Sequence, residues 1–288
     1  MTVDILTFGS CRIHGPMREI AASGRCVWSH GGSPAYLHSM GELLQRLEWA
    51  QGARVLDDRF APYCFSTRKT PAVMQKSRRP IDSCDLLLAE ISSAKELICE
   101  GVYLQLNYLH RNLLSGLGEA GASWWREVVA QGQASPAGAD RIIRSAAFRE
   151  KGFTDFDATV LRETRCVVAD ADRLDAAFRE LRRLWRKPIA IVSHVGLPLA
   201  DGARLAERES FIDLLRAACA KQDIPCFEPS SLIPLVGRAF ALEKDGDDLD
   251  HVNPTFEPIY GWYLLNRVVE PALAAAGQAS ACPGLALR

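Results

Sequence analysis

Three short apolar runs constrain this chain more than any other feature: "VDILTFGS" (Val3–Ser10), "CDLLLAEIS" (Cys84–Ser92) and "KPIAIVSHV" (Lys187–Val195). Each is apolar at successive positions, not at alternate ones, as a strand buried on both faces must be. A weaker run, "IPCFEPS" (Ile224–Ser230), and the short "RVLDD" (Arg54–Asp58) supply further candidate strands. Helical patterns separate them: "SMGELLQRLEWAQG" (Ser39–Gly52), "RLDAAFRELRRLWR" (Arg173–Arg186) and "RESFIDLLRAACAKQ" (Arg208–Gln222). Strands alternating with helices of this length build βαβ units and a parallel sheet covered on both faces.

The expected architecture is therefore α/β: a doubly wound, flavodoxin-like three-layer sandwich with about five parallel strands. From about Tyr103 to Asp172 the alternation stops. Amphipathic stretches such as "DRIIRSAAFREKGF" (Asp140–Phe153) and the small polar loop "AQGQASPAGAD" (Ala130–Asp140) replace it. That region is expected to be a helical insertion or lid, at about 103–172, within a single domain spanning 1–276. Residues 277–288 are expected to form a flexible tail.

Composition removes several functional classes. With 48% hydrophobic residues, 24% charged residues and a net charge of −1, the chain lacks the excess of Lys and Arg that phosphate binding needs, so nucleic acid is not an expected partner. The basic run "RELRRLWRK" (Arg179–Lys187) reads as a solvated helix face. No apolar stretch approaches the ~20 residues of a membrane span. The first residues, "MTVDILTFGS", have no signal-peptide pattern, and nine cysteines occur without C-x-x-C spacing. The expectation is a soluble cytoplasmic protein with reduced thiols.

In a doubly wound sheet, ligands collect outside the carboxyl ends of the strands. The candidate strands end there in Gly9-Ser10-Cys11, in Glu90-Ile91-Ser92-Ser93 and in Ser193-His194. Near the other end of the chain, "DGDDLDHVNP" (Asp245–Pro254) places Asp248 and His251 at a D-x-x-H spacing. A carboxylate three residues back can reach the imidazole and fix its tautomer, leaving the other ring nitrogen to take a proton from a nucleophile. Asp250 is the alternative orienting carboxylate. The nucleophile is Cys11 or Ser10.

A G-x-S-type turn after the first strand, with D-x-x-H before the last helix, resembles the SGNH/GDSL hydrolase superfamily, and "FGSCRI" is most similar to its GSCFA-like group. The stretches "GGSPAYLHSMGELLQ", "AIVSHVGLPLADG", "RESFIDLLRAA" and "CFEPSSLI" follow in that group's order before "DLDHVNP". The likeness covers roughly Val3 to Gln45, Asp85 to Glu96 and Asp172 to Val269. Arg12-Ile13 stands where the group has Phe-Ala, no acidic residue follows Gly9, and Ser92-Ser93 occupies the strand end where the superfamily has an asparagine.

What the resemblance implies is an ester hydrolase or acyltransferase acting on an acylated glycan or small molecule. Aligning the glycines puts Cys11 at the nucleophile position, with a thiol pKa starting near ~8.5 that a helix N-terminus and an imidazolium would lower. Gly9, Ser92, Ser93, His38, His194 and Arg12 are then candidates for the oxyanion hole or the substrate. Arg12 and His14 could hold an anionic group, and Trp124-Trp125 a sugar face. Ser39 and Glu42 also fit a capping box. No resident cofactor is expected; a transferase would take an acyl donor such as acyl-CoA. A metal on Cys11, His14 and His251 lacks ligand spacing. The competing expectation is a non-catalytic binding protein that retains the fold. The sequence leaves the oligomeric state open.

Overall fold

The computed structural model describes residues 2–30, 36–65 and 81–275. The chain divides into two compact units, one made of Met1–Gly32, Arg79–Ser93 and Asp170–Arg288, the other of Ser33–Arg78 and Ala94–Ala169.

The first unit contains the expected sheet. Its strands are β1 (Val3–Phe8), β2 (Cys26–Ser29), β3 (Leu86–Glu90), β4 (Ile189–Val192) and β5 (Cys226–Phe227), all parallel, in the order β2-β1-β3-β4-β5. This is a doubly wound order, and its switch point lies between β1 and β3. Both faces are buried, which is why the runs are apolar throughout. Val3, Ile5, Leu86, Leu88, Ala190 and Val192 join one core cluster, while Leu6, Phe8, Leu87, Ala89, Ile189 and Ile191 on the opposite face are equally buried.

Helices α1 (Cys11–Ala22), α2 (Ala171–Leu184), α3 (Ala206–Lys221) and α4 (Glu257–Leu264) flank the sheet. In α2, Leu174, Phe178 and Leu181 form a buried stripe at helical spacing, and Asp170 caps the first turn through Arg173 N at 2.8 Å. Helices α1 and α4 pack closely because Gly261 of α4 faces the backbone of α1. A Cβ on Gly261 would lie 2.4 Å from the Pro16 carbonyl oxygen and 2.5 Å from Ile20 Cγ1. Backbone cannot yield as a flexible side chain does, so Gly261→Ala is expected to destabilise the protein by about 1–3 kcal/mol. Urea denaturation of the two proteins measures the difference.

Two expectations need correction. Arg54–Asp58 is not a strand: it has two apolar residues, Val55 is 84% exposed, and Asp57 caps a short 3₁₀ turn at Asp58–Phe60. The remaining place in the sheet belongs to β2, which has four residues and an exposed Val27. Such a short edge strand carries almost no periodic signal. The second unit also contains more than helices. An antiparallel sheet of Val102–Leu104, Lys95–Cys99 and Arg165–Val168 accompanies helices that include Met40–Gln51, Glu119–Gln131 and Asp155–Glu163. The strand at Arg165–Val168 lies in a stretch that reads as helical. Ser39 caps Met40–Gln51 by accepting from Glu42 N at 3.3 Å. Trp124 is core, with Nε1 donating to Leu161 O at 2.9 Å. Residues 277–288, expected as a tail, lie outside the described residues. No helix among the described residues is long and apolar enough to cross a membrane.

Candidate functional site

The turn after β1 is built around a buried carboxylate. Gly9 permits the close approach, since a Cβ there would lie 2.6 Å from Glu90 Cβ. Ser10 is the N-cap of α1, and its Oγ accepts from Arg12 N at 3.2 Å. The same hydroxyl donates to Glu90 Oε2 at 2.5 Å, and Ser10 N donates to that oxygen at 2.9 Å. Glu90, the last residue of β3, is fully buried. Arg12, also buried, donates from Nε to Glu90 Oε1 at 2.6 Å and completes an ion pair through Nη2. Ser10 is therefore buried and committed on both its backbone and its hydroxyl.

Cys11 opens α1 and is half-buried. Its thiol does not have the lowered pKa that the sequence suggests. Burial pushes it up, the Arg12 guanidinium pulls it down, and Glu90 adds to the upward push. Burial outweighs the cation, which the carboxylate offsets in part, so a standing thiolate is disfavoured.

The D-x-x-H stretch forms the second strand of a hairpin, β6 (Leu242–Glu243) and β7 (Asp248–Val252). The connecting turn runs through three residues of positive φ, Lys244, Asp245 and Gly246. Within it the expected pair forms: His251 Nδ1 lies 3.1 Å from Asp248 Oδ1. Lys244 Nζ is 2.9 Å from Asp248 Oδ2, and Asp250 N donates to Oδ1 at 3.0 Å. Burial works against the Asp248 carboxylate, but hydrogen bonds from Lys244, the Asp250 amide and His251 outweigh it and hold the pKa at about 2. His251 is half-exposed, and its Nε2 makes no hydrogen bond among the described residues.

The Asp248 shift sets an acid limb. Its pKa is depressed from 3.8 to about 2, so its contribution to stability is complete above the first value and disappears as pH falls through the second. Asp248→Asn is expected to flatten the stability profile in that window, and urea midpoints taken across it will show this.

A second Asp–His pair lies beside the first. His194, just after β4, has Nε2 3.1 Å from Asp250 Oδ1 and 3.2 Å from Arg12 Nη1, with Nδ1 3.2 Å from Val195 O. Burial holds this imidazole below its usual pKa, opposed by Asp250. Asp250 also receives Arg208 Nη2 at 3.1 Å, and the His194 hydrogen bond leads the effects that keep its carboxyl well below the usual range. Both nitrogens of His194 are engaged, so it is the poorer proton acceptor of the two histidines. A cleft of about 340 Å³ opens beside them, lined by Leu199, Leu205, Arg208, Lys244, Asp248 and His251 among others.

The other candidates fall as follows. Ser92 and Ser93 are half-buried immediately after β3. Arg12 faces inward, to Glu90, His194 and the Asp250 carbonyl (3.1 Å). His14 is half-buried, edge-on against Trp28, and is held down at about 4, by desolvation first and His30 second. His38 belongs to the second unit, where Nε2 lies 3.4 Å from Asn107 Nδ2. Among the described residues, Glu243, Asp248 and His251 have donor atoms close enough together for a metal, but the Lys244 ammonium competes for Asp248. Sequence reasoning gave Glu90 and Arg208 no role. The available signal for Glu90 was an acidic residue closing a wholly apolar run.

These features define an α/β protein with a polar cluster at the carboxyl edge of its sheet, where the turn after β1 contributes Cys11 and Arg12 and the β6–β7 hairpin Asp248, Asp250 and His251. The chain belongs to the TviD N-terminal domain family, whose model matches residues 3–267. It is similar to the Vi polysaccharide biosynthesis protein TviD of Salmonella typhi, at 25% identity over 259 residues. That alignment covers 88% of this chain, which spans 30% of the length of the relative. One crystal structure aligns with 95% of the chain and 99% of its own at 12% identity, with a TM-score of 0.36, too low to carry an inference.

Proposed function

We propose that this chain is an acyl-group enzyme of the SGNH type, an acyltransferase or ester hydrolase acting on a polysaccharide. The observation that carries the reading is the Asp248–His251 pair at 3.1 Å, with Nε2 unengaged, on a hairpin hydrogen-bonded to the residue after Cys11. The relative's name, a polysaccharide biosynthesis protein, supports a glycan as the substrate.

Cys11 is the better nucleophile, because the Ser10 hydroxyl already donates to Glu90. The thiol is raised, so His251 must take its proton as the sulfur attacks, not beforehand. The acyl carbon bonds to Sγ, and the alcohol or thiol of the donor leaves with the proton from His251. A glycan hydroxyl or water then gives its proton to His251 and attacks the thioester, and the released Sγ takes that proton back from His251. Asp248 holds the imidazole in the required tautomer throughout. The Cys11 backbone N–H, with Ser92 or Ser93, would receive the oxyanion; Ser10 N is already committed to Glu90 and Arg12 N to Ser10 Oγ. A transferase would use an acyl thioester such as acyl-CoA. The eight cysteines among the described residues are all free thiols, which fits a cytoplasmic location.

Intact-mass spectrometry after incubation with acetyl-CoA tests this reading. The expected result is an acyl adduct on the Cys11 peptide that disappears when a polysaccharide acceptor is added. If no adduct forms and no acyl ester turns over, the protein is a binding module that kept the fold.

A further inference from the structure

We propose that Arg12 is the positioning residue of this site: anchored on Glu90, it straps the turn bearing Cys11 to the hairpin bearing His251. The proposal rests on the Cys11–His251 reading above. An arginine offers five donors in a rigid planar fork. Here Nε and Nη2 go to Glu90, while Nη1 turns the other way, 3.1 Å from the Asp250 carbonyl oxygen and 3.2 Å from His194 Nε2. Arg12 follows Cys11 in the first turn of α1, and the Asp250 carbonyl belongs to the peptide that begins His251. The path from nucleophile to base is therefore one arginine side chain and one hydrogen bond.

The other end of the fork is equally fixed. Glu90 closes the central strand β3 and also holds Ser10 through N and Oγ, so the strap is tied to the most buried part of the sheet. A buried ion pair of this kind holds elements together no better than apolar packing of the same volume would. What it adds is direction, because each donor accepts only a narrow range of geometry. The reaction needs that precision: sulfur and imidazole have to meet within hydrogen-bond reach.

Arg12→Lys separates positioning from bulk stability. A lysine can keep a charge on Glu90 but cannot hold Glu90 and the Asp250 carbonyl together. The double variant Arg12→Met/Glu90→Gln removes both charges at once, leaves no buried ion unpaired, and serves if Arg12→Lys folds poorly. Two measurements apply to each. Hydrogen exchange of peptides covering 248–255 should become several-fold faster while β3 and β4 stay protected. Iodoacetamide capture of Cys11 at neutral pH should slow by about the factor that His251→Ala causes, and combining Arg12→Lys with His251→Ala should slow it no further. Wild-type exchange in the hairpin, or fully additive losses in the pair, would overturn the strap. If His251→Ala alone leaves capture unchanged, the base assignment fails, and the exchange data still decide whether Arg12 holds the hairpin.

Discussion

Cys11→Ala is expected to lower acyl transfer at least about a thousandfold, whereas Ser10→Ala should keep it within about tenfold of wild type. The two residues are neighbours, and both carry a nucleophilic atom, yet their surroundings differ. Ser10 is 3% exposed, and its hydroxyl donates 2.5 Å to Glu90 and accepts the Arg12 amide, the second bond being the cap of α1. Recruiting that hydroxyl for attack would break the cap and leave Glu90 short of a donor. Losing Ser10 should instead appear as lost stability, of about 1 kcal/mol for the cap alone. Cys11 is half-buried, its thiol has hydrogen-bonding partners in the Ser10 side chain and its own backbone, and Glu90 acts on it only through its charge. Transfer of a radiolabelled acetyl group to polysaccharide, measured with each variant alongside its urea midpoint, separates the two effects. An inactive Ser10→Ala beside an active Cys11→Ala would exchange the roles.

Glu90→Ala should be the most destabilising single change in the site, at about 3–5 kcal/mol. The carboxylate is fully buried and receives Ser10 N, Ser10 Oγ and Arg12, so its removal leaves a buried guanidinium without a counter-ion as well as two donors without an acceptor. Glu90→Gln keeps the shape and one acceptor oxygen and should cost less. Chemical denaturation at pH 7 gives the comparison. A loss below about 1 kcal/mol for the alanine variant would mean that water reaches Arg12 and replaces the ion pair.

The sequence was a good guide wherever burial acts on every residue of an element. β1, β3 and β4 are apolar on both sides because helices cover both, and that pattern is visible without coordinates. It was a poor guide to β2 and to the strand at Arg165–Val168, each of four residues, where partners elsewhere in the chain decide the conformation. Val55 and Leu56 show the converse, an apolar pair with no sheet to join. At the site, the pairing of Asp248 with His251 was legible because it is local: three residues in one hairpin fix the distance.

Cys11's electrostatic state was not legible, because it depends first on burial and then on charges that include Glu90, which lies 79 positions away in the chain. From sequence, a helix N-terminus and a histidine argue for a lowered thiol pKa; folding instead adds burial and an anion beside the neighbouring arginine. The same long-range contact occupies the Ser10 hydroxyl, which favours Cys11 in the proposed reaction. Arg12 reads as a candidate for an anionic substrate and becomes an internal tie for that reason as well. Local spacing and two-sided burial, then, were determined by the amino-acid order alone. Which polar groups remain available for chemistry was decided only when strands distant in sequence came side by side, since hydrogen bonding and desolvation act over a few ångströms of space and take no account of separation along the chain.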